Sequence, residues 1–209
     1  MLVDEIVRRL RDRSSRLASG LPVAALPVGS DFSLNGIVSP PDKYRAASVL
    51  VPIVNRASEA TILLTQRTED MPSHAGQVAF PGGRRQENDA DAVATALRET
   101  EEEVGLDRRF VDVIGSFDRY RTGTGYEITP VVGIVTPGFT TRADPREVAD
   151  IFEVPLAHFL DEVNHRIDSR RTQGRERRFY AMPYGNRYIW GATAGMLKNL
   201  QFILTAPEP

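Results

Sequence analysis

Apolar positions along the chain follow two periods. AASVLVPIV (46–54) and ATILLTQR (60–67) are β-branched apolar runs separated by the polar NRASE, the pattern of a buried strand pair joined by a short loop. QVAF (77–80) reads as a third strand. FVDVIGSFDRY (110–120) and YEITPVVGIV (126–135) flank RTGTG, whose two glycines suit a hairpin turn or a mobile loop. HRIDSRRT and RERRFYAMPY predict a further hairpin around Gly174. The helical period marks other stretches. MLVDEIVRRLRDRSSRL sets Leu2, Ile6, Val7, Leu10 and Leu17 along an amphipathic helix, to be packed within the chain or against a second copy. A second helix is expected from Asp89 to Val104, with Asn88 or Asp89 as N-cap and Gly105 as the stop. A short helix should follow Pro155, and Trp190 opens a last one, GATAGMLKNLQFIL. Residues 18–44, punctuated by Pro22, Pro27, Pro40 and Pro41, read as a surface arm. Strands outnumber helices, so the expected class is α/β, a mixed sheet covered by helices. The N-terminal helix and extended arm would occupy 1–44 and the main domain 45–209.

Composition narrows the chemistry. The 209 residues contain no Cys, which fits a reducing compartment or indifference to redox state and excludes thiolate catalysis and Cys-based metal sites; a cytoplasmic location is expected. A net charge of −2, from 26 basic and 28 acidic residues, provides no overall field for nucleic acid or an anionic membrane. The N-terminal stretch lacks the apolar core of a secretory signal, and no segment approaches the ~20 apolar residues of a membrane span. A small-molecule substrate and a monomer or homodimer are the expected partners.

Within FPGGRRQENDADAVATALRETEEEVGL (80–106), the helix crowds Glu99, Glu101, Glu102 and Glu103 together just after a Pro-Gly-Gly turn. At ~100° per residue, Val93, Leu97, Thr100 and Val104 share one face, while Glu99, Glu102 and Glu103 cluster on another, away from the core. Glu101 falls outside that cluster. An oxygen-only patch of this kind suits Mg²⁺ or Mn²⁺, and Arg98 can neutralise only part of it. An acidic helix face is commonly just solvated; the glycine turn upstream, which lets backbone approach a ligand closely, shifts the reading toward metal-assisted attack of water on a phosphoanhydride.

Residues 83–106 resemble the Nudix box, G-x5-E-x7-R-E-U-x-E-E-x-G-U with U apolar. Arg98-Glu99-Thr100-Glu101-Glu102-Glu103-Val104-Gly105-Leu106 follows its back half, with Thr100 at the apolar position. Asp89 stands at the place of the first Glu, and one extra residue separates it from Arg98. LLTQRTEDMPSHAGQVAFPGG (63–83) is similar to the segment preceding the box in the coenzyme A pyrophosphatase branch, roughly LLTxRSxxLxxHxGQVxFPGG, with Thr68 for Ser and Met71 for Leu. The resemblance implies a Nudix-type α/β/α sandwich with a mixed β-sheet and a catalytic loop-helix. It implies Mg²⁺ or Mn²⁺ on Glu99, Glu102 and Glu103, catalysis by Glu102, Glu103 and Arg98, and substrate binding by Arg67, His74, Gln77, Gly82 and Gly83. The implied reaction splits CoA or its thioesters into adenosine 3′,5′-bisphosphate and 4′-phosphopantetheine or its acylated form. ADP-ribose, NADH or a dinucleoside polyphosphate are the alternative substrates, and a non-catalytic nucleotide sensor is the alternative of another class. Arg67, Arg84 and Arg85 are candidate phosphate clamps; Arg84 and Arg85 match no family position, and a solvated loop is the favoured reading of that pair. Arg170, Arg171, Arg175, Arg177 and Arg178 could meet a 3′-phosphate, with plain hairpin exposure the favoured reading. Glu127 is a candidate general base or extra metal ligand.

Overall fold

The structure, a computed structural model, describes residues 3–21, 23–35, 43–71, 74–172 and 174–206. Leu2, Pro22, Pro40 and Pro41 and the side chains of Leu17 and Arg175 lie outside the described residues. In chain order the elements are α1 (Val3–Ala18), β1 (Arg45–Asn55), β2 (Ala60–Arg67), β3 (Val78–Ala79), β4 (Gly82–Arg84), α2 (Ala92–Val104), β5 (Val111–Ser116), β6 (Tyr120–Arg121), β7 (Tyr126–Val135), β8 (Val148–Pro155), α3 (Leu156–Leu160), β9 (Arg166–Thr172), β10 (Arg175–Ala181) and α4 (Ala192–Thr205).

β1 is the spine. Every residue from Ala47 to Val54 is buried, because the strand is covered on both faces and so needs a continuous apolar run rather than an alternating one. Val49, Val51 and Ile53 face a core that takes in Ile6 and Leu10 of α1 and Leu197, Leu200 and Leu204 of α4. Leu50 and Val54 face the other way, onto Ala96 and Val104 of α2. The sheet is therefore sandwiched between helices, as expected. It is also mixed: β1 runs antiparallel to β2, with Ile53 opposite Ile62, and parallel to β7 along its whole length. β5 and β6 continue antiparallel beside β7, and β8 closes the far edge of β2. Among the described residues no helix is long and apolar enough to cross a membrane.

Past their hairpin β1 and β2 draw apart, and 78–84 fills the gap, β3 pairing with β2 and β4 with β1. This wedge sets the glycine turn at the centre of the sheet. A Cβ at Gly82 would lie 2.4 Å from the Ser48 carbonyl oxygen, so only glycine permits the β4–β1 contact. β9 and β10 form the expected hairpin as a separate two-stranded sheet.

α2 begins later than the sequence suggested. Asp91 is the N-cap, accepting from the Ala94 amide at 2.8 Å, and neither Asn88 nor Asp89 plays that part. Asp89 is drawn inward by Arg98, which leaves the next acidic residue to cap. Gly105 ends the helix at φ 66°, its N–H bonded to Glu101 O.

Candidate active site

Glu99, Glu102 and Glu103 share one side of α2 but meet three environments. Glu103 is only 5% exposed: its Oε2 accepts from the Gly82 amide at 3.0 Å, and its Oε1 lies 3.6 Å from Arg67 Nη1. Burial pushes its carboxyl up to about 7. Glu99 accepts from Arg98 Nη1 at 2.9 Å, and burial raises its pKa above the usual carboxylate range too. A Cβ at Gly83 would sit 2.5 Å from the Glu99 carboxyl carbon, so the second glycine is what admits that carboxylate against β4. Glu102 stands at the rim, its side chain 57% exposed, with Oε2 3.0 Å from Arg98 Nη1.

The expectation that all three lie away from the core is thus corrected at Glu103. The buried stripe comprises Thr95, Ala96, Thr100, Glu103 and Val104, while Val93 and Leu97 are only partly buried. An acidic residue can enter that stripe because a backbone donor of the glycine turn and the Arg67 guanidinium meet it there.

Arg98 organises this wall. Its Nε and Nη2 grip Asp89 Oδ1 and Oδ2 at 2.9 and 2.8 Å, Nη2 also donates to Arg84 O at 3.1 Å, and Nη1 reaches both Glu99 and Glu102. Asp89, buried, accepts in addition from the Gln86 amide and the Thr95 hydroxyl. Its hydrogen bonds to Arg98 hold its carboxyl well below the usual range. Asp89 is therefore an orienting residue, despite the extra residue that separates it from Arg98. Glu101 faces elsewhere, bonded to the backbone and guanidinium of Arg108.

Gly82, Gly83, Glu99 and Glu103 form one wall of a cleft of about 910 Å³ that Arg67, His74 and Gln77 also line. Arg67 spans Glu103 and Glu147, with Nη2 3.6 Å from the latter, and its buried Nε has no hydrogen-bond partner among the described residues. His74, exposed and at φ 59°, meets Gln77 Oε1 through Nδ1 at 2.9 Å. Glu102 is not part of the lining. Among the described residues no three His, Asp or Glu side chains are gathered closely enough to hold a metal ion.

Two loop readings change. Glu127 is engaged by Arg119 and Arg121 and lies outside the cleft, because strand alternation turns it opposite to its neighbours Tyr126 and Ile128, which line it. Glu147, before β8, is the glutamate beyond the box that faces the cleft. Arg84 reaches Tyr126 OH at 3.0 Å and joins the lining, whereas Arg85 bonds the Asp89 and Ala90 carbonyls.

The sequence reading missed the arm's contribution. Asp31 Oδ1 accepts from Tyr120 OH at 2.8 Å and Oδ2 from the Gly123 amide at 2.7 Å, and Asn35 brackets the Arg178 backbone on β10. Asp31, Asn35 and Trp190 all line the cleft, and only the fold brings them there.

The NUDIX domain family model matches residues 44–173. The chain is 45% identical over 158 residues to the "Uncharacterized Nudix hydrolase NudL" of Escherichia coli K12, a match covering 75% of this chain and 81% of that protein. With its counterpart in Photorhabdus laumondii the identity is 43% over 160 residues, 76% of this chain and 84% of the other. Among solved structures, the Nudix hydrolase RenU of M. smegmatis is 21% identical with a TM-score of 0.48, over 56% of this chain and 73% of that one. The chain belongs to the Nudix hydrolase family, enzymes that act on pyrophosphate bonds.

Proposed function

We propose that the protein is a divalent-metal-dependent pyrophosphohydrolase of coenzyme A or its thioesters, releasing adenosine 3′,5′-bisphosphate and 4′-phosphopantetheine or its acylated form. The observation that carries this reading is a single cleft in which the box residues Glu99 and Glu103 stand beside Arg67, His74 and Gln77, side chains of the 63–83 segment that resembles the coenzyme A pyrophosphatase branch.

The donor set fits a hard cation. It offers only carboxylate oxygens, two of them on desolvated groups, and Gly83 leaves room for one of these against β4. Glu99 and Glu103 line the cleft and Glu102 stands at its rim, so the three would hold Mg²⁺ or Mn²⁺ by closing on it from a more open spacing; the ion when bound neutralises non-bridging phosphate oxygens and acidifies water. Arg98 keeps Glu99 and Glu102 aimed, and Asp89 keeps Arg98 in place. Arg67 lines the cleft beside these carboxylates, and its planar guanidinium suits a diphosphate oxygen. The side chains of His74 and Gln77 form a hydrogen-bonded pair that can orient the same group.

The test is a substrate panel of CoA, an acyl-CoA, ADP-ribose, NADH and a dinucleoside polyphosphate, with and without Mg²⁺ or Mn²⁺, products identified by mass. The reading expects kcat/KM to be highest for CoA or its thioester. A preference for ADP-ribose, NADH or the dinucleoside polyphosphate would replace the substrate and keep the chemistry; no turnover of any, with metal, would return the chain to a binding role.

A further inference from the structure

The cleft has a second charged wall, which the box and the 63–83 segment leave unexplained. Arg170 of β9 and Arg177 of β10 are cross-strand partners, and both line the cleft, with Arg178 beside them. Like charges placed directly opposite on adjacent strands destabilise a hairpin unless something relieves them. Nothing described does: neither guanidinium has an ion-pair or hydrogen-bond partner. Asp31 Oδ2 lies over Gly123, 3.7 Å from where a Cβ would stand, but the oxygens of Asp31 are engaged by Tyr120 OH and the Gly123 amide. The Arg177 guanidinium stands over Gly123 without meeting it, since even a Cβ there would be 3.6 Å from Nη1. Beside this pair, Phe179 and Trp190 also line the cleft, their ring centroids 4.8 Å apart.

We infer that Arg170 and Arg177, beside the Trp190–Phe179 aromatic pair, form a nucleoside-end subsite that takes a phosphomonoester additional to the scissile diphosphate. The inference rests on the CoA reading and deepens it, since it assigns recognition of the ribose phosphate to the hairpin and leaves Arg67, which is tied to Glu103 and Glu147, to the diphosphate. Planar guanidinium forks suit a dianionic phosphate, and an aromatic face beside them suits a purine. A dianion also removes the like-charge repulsion that the empty hairpin carries. The arm belongs to the same device. Asn35, by bonding the Arg178 N–H and C=O, fixes the height of the hairpin over the cleft.

Trp190 is the only tryptophan in the chain, so its fluorescence reports on this wall alone. The experiment titrates adenosine 3′,5′-bisphosphate and 5′-AMP into the full chain, following Trp190 emission and, for the affinities, calorimetry. It compares the parent with Arg170→Ala/Arg177→Ala. The control is Arg171→Ala, which removes the same charge from a residue that lies next to Arg170 but outside the cleft lining, with Glu176 as its register partner. The parent and Arg171→Ala should bind the bisphosphate about ten- to a hundredfold more tightly than AMP, the range of one or two charge-assisted hydrogen bonds, and the double variant should bind the two alike. Equal affinities in the parent, or an advantage that survives in the double variant, overturns the subsite. The same proteins are then assayed with CoA and dephospho-CoA; the subsite expects kcat/KM for CoA to fall selectively in the double variant, through KM. A bisphosphate preference in a protein that hydrolyses neither substrate sinks the CoA reading and leaves the subsite standing, so the two failures are distinguishable. A double variant that melts well below the parent and loses both substrates equally counts against the subsite, and Arg170→Lys/Arg177→Lys then provides the folded comparison. Retention of charge without the fork should restore part of the bisphosphate preference, and no restoration overturns the inference.

Discussion

The two walls of the cleft hold their charges in opposite ways. On the α2 side every box carboxylate is tied to a donor: Glu103 to the Gly82 amide, Glu99 and Glu102 to Arg98, and Arg98 in turn to Asp89. On the hairpin side Arg170 and Arg177 face the same space with no partner among the described residues, on a two-stranded sheet outside the main one. The first arrangement suits chemistry, because groups that act on a transition state must be aimed before the reaction begins. The second suits recognition, because charges without internal partners give their full interaction to a ligand. The difference teaches that preorganisation in this molecule is local to 82–104, where neighbouring elements supply the bonds.

The sharpest way to break the comparison is at Glu103. Glu103→Gln keeps the shape and can still accept from the Gly82 amide, so the fold should survive and melting in chelator should be equal to or above the parent, because a desolvated charge is gone. Turnover should fall by about 10²–10³-fold, carried in kcat. Glu102→Gln, at the exposed rim, should leave melting unchanged while lowering activity by a smaller factor. If Glu103→Gln runs near the parental rate at saturating metal, the carboxylate wall is not the catalytic one.

Asp89→Ala tests whether preorganisation comes from the second layer. Asp89 touches no cleft space, yet it holds two of the Arg98 donors, so its loss should cost about 10–100-fold in activity, the usual effect of an outer partner. Removing these bonds should also lower stability by about 1–3 kcal/mol, or roughly 2–10 °C in Tm. Normal activity with a lowered Tm would confine Asp89 to the fold.

The sequence showed most of one wall and little of the other. The box motif and the glycine turn lie within one continuous stretch, so their order along the chain is their order in space. Burial of Glu103 escaped the helical period, which sorts residues by polarity and takes no account of an amide or a guanidinium arriving from β4 and β2. The N-cap moved to Asp91 for the same reason: which of three neighbouring polar residues caps depends on Arg98 having taken Asp89. Glu147, Asp31 and Trp190 sit in no motif, and the folding of arm, β8 and α4 around the hairpin is what gathers them. Glu127 misled because a glutamate in a glycine-flanked stretch looks free, whereas pairing of β6 with β7 gives it two arginines.

pH should separate the walls by stability. His165 immediately precedes β9; its Nε2 meets Phe159 O at 2.9 Å, its buried Nδ1 has no partner among the described residues, and burial lowers its pKa from the ordinary 6.5. His158, against Tyr184, is lowered by burial as well. Both are therefore neutral when folded at pH values where the unfolded chain already binds protons. Their contribution is fully present above pH ~6.5 and is lost as pH falls through the depressed folded values. Glu103 titrates in the opposite sense, since a carboxyl pushed up to about 7 gains stability as pH falls, so the slope is read in Glu103→Gln: between pH 7.5 and 5.5 its Tm should drop by less than Asp89→Ala causes, and adding His165→Gln should flatten that slope. An unchanged slope would show that the base of the hairpin does not titrate.

Glu101 provides the smallest effect and the strictest control on the geometry of α2. It lies between residues of the carboxylate wall in sequence, carries the same charge, and is held by Arg108, whose backbone N–H and guanidinium it accepts from. Those bonds keep its pKa low and fasten the helix end to the turn that follows Gly105. Glu101→Gln retains an acceptor for the Arg108 amide and loses only an exposed ion pair, worth about 0–1 kcal/mol. Activity should stay within about twofold of the parent and Tm within a few degrees. A loss as deep as that of Glu103→Gln would mean that α2 presents a different face to the cleft, and that the division between a bonded catalytic wall and an unpartnered recognition wall has been drawn through the wrong side chains.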